Sequence, residues 1–186
     1  MADTSQPTVF DYASPTTWRI RFARIPKVEW FCTNVNLPGV TLGEASYPTP
    51  MTDIGITGDK LTFETLSLTF LVDEELQNYR QMWDWLVGIG FPKNHSQFST
   101  ALTGGTTPTT QSPTEKGTTP SEISLYDEAT LIIYNSKNIA KVEVKFKDIF
   151  PTSLSGLAYA QDSTDVDYFR ADASFRFLYY EFETST

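Results

Sequence analysis

Between Leu66 and Val87 the apolar pattern changes period once, and that change sets a strand running directly into a helix. Leu66, Leu68, Phe70 and Val72 alternate with Ser67, Thr69 and Leu71, the period-two signature of a strand with one face on a core. The alternation stops at Asp73, which can accept backbone N–H bonds as an N-cap, while Glu74 and Glu75 suit the positive end of a helix dipole. Leu76, Tyr79, Trp83 and Leu86 then recur at three- and four-residue spacing and are the expected core stripe, with Gln77, Asn78, Arg80, Gln81 and Asp84 largely off it. Gly88, Gly90 and Pro92 mark the end, so the pattern predicts a helix over about 74–87.

Elsewhere the periodicity is that of strands. Trp18, Ile20 and Phe22 alternate with Arg19 and Arg21, and Val28 to Val35 reads as a second β-rich run after Pro26. Pro38, Gly39, Gly43, Pro48 and Pro50 punctuate an extended stretch. The runs MTDIGIT and KLTFETL then flank Gly58-Asp59, which predicts a tight reversal and a long hairpin over Met51 to Phe63. Ala129 to Tyr134, a turn at Asn135 to Asn138, and the alternating Val142, Val144 and Phe146 predict a second hairpin, and Phe169 to Phe182 predicts one long final strand. No repeat of fixed period is present. The reading is a mainly β domain, a sandwich or a barrel, with one flanking helix.

Two segments stand apart. Residues 1–15 are polar and proline-interrupted and read as an N-terminal arm, free or bound to a partner, ahead of a single domain over 16–186. In Ser99 to Glu122, 18 of 24 residues are Ser, Thr, Gly or Pro, too little apolar surface to fold alone, which predicts a surface loop inserted at 99–122.

Composition removes several function classes. A net charge of -9 disfavours nucleic-acid binding through a basic surface. No apolar run approaches the roughly 20 residues that span a bilayer, and the first residues lack a signal-peptide pattern, so assembly in the cytoplasm is expected. One cysteine excludes an internal disulfide, and Cys32 with the single His95 is too small a set for a zinc cage.

Catalytic, cofactor and metal readings fare no better. Cys32 sits beside Trp30 and Phe31 in an apolar context while His95 opens a polar tract, so a nucleophile and base pair is not expected. Asp73, Glu74 and Glu75 are explained as a helix start. Asp162, Asp165 and Asp167 lack the glycine and terminal glutamate of a calcium loop, and Gly104-Gly105 lacks a phosphate-loop ending. Trp83 is expected in the core and Trp85 in core or interface. No catalytic, cofactor or metal residue is assigned.

The order of segments resembles the tail tube proteins of contractile-tailed bacteriophages. WFCTNVNLPGV is similar to that family's segment ending in a Leu-Pro turn. GDKLTFETLSLTFLVDEELQNYRQMWDWL is similar to its strand, acidic helix start and Trp-bearing helix, VEVKFKDIFPTSLSGL to its late strand and turn, and DYFRADASFRFLYYEF to its final aromatic strand. The resemblance covers most of the chain from about Arg19 onward, apart from 99–122. It implies a β-sandwich with a flanking helix. It also implies hexameric rings whose joined inner strands form a continuous barrel, and stacking of those rings into a tube.

On that footing the expected role is a non-enzymatic virion structural protein of the inner tail tube, built in the host cytoplasm. The implied partners are copies of itself and sheath, tape-measure and baseplate proteins, with DNA passing through the lumen without specific binding. The expected subunit and ring contacts are Phe10 and Tyr12 in the arm, Met51, Asp53, Ile54 and Ile56 in the hairpin, and Asp59, Lys60, Leu61 and Phe63 beyond its turn. Exposed strand edges and an acidic wall that repels phosphate fit the same role. A baseplate tube-initiator or hub ring of the same fold is the alternative. A carbohydrate-binding sandwich using Tyr126, Tyr134, Tyr159 and Tyr168 is a more distant one.

Overall fold

Eleven elements follow one another in a computed structural model that describes residues 12–90, 126–161 and 168–184. They are β1 (Trp18–Phe22), α1 (Pro26–Phe31), β2 (Cys32–Val35), β3 (Val40–Pro48), β4 (Asp53–Phe63), β5 (Leu66–Leu71), α2 (Gln77–Gly90), β6 (Asp127–Tyr134), β7 (Ala140–Leu154), β8 (Arg170–Arg176) and β9 (Tyr179–Thr184). Among the described residues the chain is mainly β with two helices, and its antiparallel strands do not close into a barrel. Phe10, His95, Gly104-Gly105, the 99–122 tract and Asp162, Asp165 and Asp167 lie outside the described residues.

Two sheets share one strand. The first half of β7 pairs with β6 and β9, and β1 adds beyond β6; the second half of β7 pairs with β8, followed by β5 and β2. We call these the β1 sheet and the β2 sheet. The switch occurs at Asp148, whose φ of 55° is a bulge-like conformation in the left-handed region. At the same level the final strand breaks, and the Leu178 N–H donates to the Lys147 carbonyl at 3.0 Å. The single strand expected over Phe169 to Phe182 is therefore two, β8 in one sheet and β9 in the other.

The core lies between the sheets and under the helices. Ile20, Phe22, Leu68, Phe70, Phe146 and Phe175 are almost wholly buried, and Phe22 stacks on Phe175 with centroids 5.3 Å apart. These are the inward positions of the alternating runs, as period two requires. Burying each such side chain contributes about 1.5–3 kcal/mol.

Both helices depart from the sequence reading. The expected strand from Val28 begins instead as α1, because Pro26 at the first helical turn presets the backbone and places Ile25 and Val28, three apart, on one buried face. α2 starts at Gln77, after Leu76 takes a φ of 55°. Its buried residues are Asn78, Met82, Trp85 and Gly88, a stripe rotated from the expected one. Leu76 and Leu86 are half-buried and Tyr79 packs at the core margin, but Trp83 is 50% exposed. Gly88 lies inside the helix rather than capping it.

The rotation follows from Asn78. It is fully buried, donates from Nδ2 to the Leu71 carbonyl at 2.7 Å, and accepts at Oδ1 from the Tyr79 N–H at 2.7 Å. A polar residue so satisfied occupies a core position that hydrophobicity patterns assign to solvent.

Candidate assembly interface

The candidate site is a ribbon that leaves the β2 sheet. Asn36 carries the pairing from β2 and β5 into β3 and β4: its N–H donates to the Ser67 carbonyl at 3.2 Å, and its side chain accepts from the Ser67 N–H and donates to the Thr65 carbonyl. The Glu64 N–H then donates to the Gly39 carbonyl at 3.0 Å. The inner end is clamped by Phe63, half-buried against Phe177 and Tyr180 of its own chain, and by the Tyr180 hydroxyl donating to the Pro38 carbonyl.

Beyond that clamp the ribbon stands alone as a two-stranded sheet of β3 and β4. Every β3 residue is exposed, as is every β4 residue except Gly58 and Phe63. The reversal expected at Gly58-Asp59 is not there; it lies between Pro48 and Asp53, where the Thr49 N–H donates to the Thr52 carbonyl at 3.2 Å.

Gly58 instead sits inside β4 opposite Gly43. Leu42 pairs with Leu61 and Glu44 with Thr57, so three residues of β4 face one of β3. A Cβ on Gly58 would stand 2.6 Å from the Gly43 carbonyl oxygen, closer than any side chain allows. The glycine signal was real, but a mid-strand glycine marks a bulge and a close backbone approach as readily as a turn.

The bulge divides two apolar patches. Inside it, Val40 pairs with Phe63 and Leu42 with Leu61; outside it, Ala45 pairs with Ile56 and Tyr47 with Ile54. Since β3 itself carries no insertion, alternation places Val40 and Leu42 on one face and Ala45 and Tyr47 on the other. Leu42, Ile54, Ile56 and Leu61 are each about half exposed, and Met51 at the tip is 96% exposed. Asp53, Asp59 and Lys60 are exposed beside them, and Tyr12, in the arm, is 97% exposed. The β3 residues were missed by sequence reading because Gly43 and the change of face interrupt their alternation.

Among the described residues, electrostatics mark no catalytic centre. Burial pushes the Cys32 thiol up to about 12, leaving it protonated and non-nucleophilic. The half-buried pair at the start of β6 is structural: Asp127 accepts from the Arg24 backbone N–H at 2.9 Å, and Arg24 lies over the Trp85 ring. Burial raises the Asp127 carboxyl and lowers Arg24, with the mutual attraction opposing both. Among the described residues, no group of three or more His, Cys, Asp or Glu is placed to hold a metal ion.

Tyr126 and Tyr134 do not share one aromatic platform. Tyr126 and Tyr134 flank the two ends of β6, roughly 25 Å apart at strand rise. Tyr126 packs edge-on against Phe150, while Tyr159 packs on Phe169.

No protein-family model matches the sequence, and no curated protein does. Solved structures do match. A chain of the anti-feeding prophage cap, its tube-terminating cap, aligns with a TM-score of 0.59 at 12% identity over 100% of both chains. A chain of the anti-feeding prophage baseplate aligns at 0.54 with 10% identity, covering 97% of each. A chain of the extended sheath-tube complex of PVC, an extracellular contractile injection system, aligns at 0.51 with 12% identity over 100% of both. The chain thus has the fold shared by tube, cap and baseplate chains of contractile injection systems, in keeping with its resemblance to tail tube proteins.

Proposed function

We propose that this chain is a non-enzymatic structural subunit that assembles as hexameric rings into the inner tube of a contractile tail, a conduit for delivery of the phage genome. The observation that carries this reading is the β3–β4 ribbon. A two-stranded sheet is marginal in water by itself, and this one exposes apolar side chains on both faces. Completing the burial of each half-exposed Leu or Ile contributes about 1 kcal/mol. Repeated around a closed ring and between stacked rings, that is enough to hold a polymer.

In this reading Met51, Ile54, Ile56 and Tyr47 meet a neighbouring copy near the ribbon tip, and Tyr12 adds a second contact. Sheath, tape-measure and baseplate proteins are the heterologous partners.

A terminating or initiating ring is the second reading, favoured by the similarity to chains of a cap and a baseplate. Counting copies of the chain per purified particle by quantitative mass spectrometry separates the two. A tube subunit is present in many rings' worth of copies, and a cap or initiator in one.

A further inference from the structure

The two sheets turn very different outer faces away from the core. The β1 sheet carries Arg19 and Arg21 on β1, Lys145 and Lys147 on β7, and Glu181 and Glu183 on β9. Lys145 pairs with Glu183 at 2.7 Å and Lys147 with Glu128 at 2.6 Å. This is the mixed-charge surface of a sheet that meets bulk solvent.

The outer face of the β2 sheet lacks that pattern. Its central band is Asn34, Ser67, Thr69, Ser153 and Ser174, with Asp172 as the one acid. Arg170 and Arg176 stand at the two ends of β8, opposite the half-buried Leu71 and Phe150. Several hydroxyls in and beside this band bond within the sheet. Thr33 donates to the Thr69 carbonyl, Thr69 to Asp172 Oδ1 at 2.6 Å, and Thr152 to the Ser174 carbonyl at 3.0 Å; the Asp172 N–H donates to Ser155 Oγ.

Such a face is too polar to be covered by an apolar partner and too uncharged for an ordinary solvent face. It has one natural setting, a confined aqueous space across which other material moves. We infer that the outer face of the β2 sheet lines the conduit, as a near-neutral, hydroxyl-rich wall that offers transiting cargo few charged contacts. This rests on the tube reading and deepens it. The acidic excess contributes little to that wall, since Asp53, Asp59, Asp73, Glu74 and Glu75 lie on the ribbon and at the entry to α2. Passage then depends on weak adhesion rather than on repulsion of phosphate.

Single cysteines at Ser67 and at Lys145, on opposite faces, test the inference, with unmodified protein as the blank for Cys32. Each variant is treated with a small maleimide and with a maleimide on a polymer too wide for the lumen, as free subunit and as assembled tube. S67C is expected to react with both reagents when free and to lose labelling by the bulky one at least tenfold on assembly, while K145C keeps it. Protection of K145C with continued labelling of S67C, or equal behaviour of the two in intact tubes, would overturn the assignment. If no rings or tubes form, alone or on purified baseplates, the tube reading itself falls and takes this inference with it. K145S and S67A are made in parallel to show that neither position is needed for assembly.

Discussion

Asp73 and Asn78 bind each other's backbone: the Asn78 N–H donates to Asp73 Oδ1 at 3.1 Å, and the Asp73 N–H donates to Asn78 Oδ1 at 3.3 Å. This reciprocal pair works like a capping box stretched to five residues, with Leu76 at positive φ between them. Replacing Asn78 with Ala leaves the Leu71 carbonyl and the Asp73 and Tyr79 N–H groups short of a partner at the core margin. The expected loss is about 3 kcal/mol, read as a lower urea midpoint with an unchanged slope. A loss under about 1 kcal/mol would mean the turn is held by other groups.

The two neighbouring tryptophans of α2 separate cleanly. Trp85 is 2% exposed and packs near Phe175, so Trp85→Ala is expected to cost about 3–5 kcal/mol. Trp83, half exposed, is expected to cost less than about 1 kcal/mol when cut to Ala. Thermal unfolding of the two variants in parallel decides which face of the helix is buried, and the reverse order would reinstate the stripe through Leu76, Tyr79, Trp83 and Leu86.

Gly58→Ala forces the ribbon apart, because the added methyl meets the Gly43 carbonyl with nowhere to go. The core strands are not involved, so unfolding should shift by less than about 1 kcal/mol while assembly is lost. Sedimentation of the variant checks this; normal polymers with Ala at position 58 would show that the bulge geometry is dispensable.

Asp127 sets a pH dependence of definite sign. Its carboxyl is raised in the folded chain, chiefly by burial, so between the ordinary and the folded value the native state holds more protons than the unfolded one. Stability from this group therefore falls as pH rises through that window and is level above it. The stability of Asp127→Asn relative to the natural chain should rise as pH climbs upward from the ordinary carboxylate range and then flatten, as measured by denaturant titration at each pH. A flat or falling difference would assign Asp127 the opposite role.

The strands facing the core were legible because alternation records burial directly. Leu66 to Val72, Trp18 to Phe22 and the β6–β7 hairpin with its turn at Asn135 all appear where their patterns place them. What was not legible depends on partners distant in sequence. Val28, Trp30 and Phe31 have strand propensity, yet α1 forms because Val28 packs into the core. Asn78 looks like a surface residue until Leu71 and Asp73 supply its bonds. Gly58-Asp59 carries turn chemistry, and only its pairing opposite Gly43 makes it a bulge. The β3 half of the ribbon was hidden for the same reason: its apolar residues change faces, and no alternation scan follows a ribbon across a bulge.

The central claim is that the exposed ribbon joins copies of this chain into rings and tubes. Negative-stain microscopy of the purified protein, with and without baseplates, beside an Ile54→Asp, Ile56→Asp double variant, tests it most directly. The account predicts rings or tubes for the natural chain and folded, unassembled subunits for the double variant. A natural chain that stays monomeric in both settings, or a double variant that polymerises as well as the natural one, would contradict it.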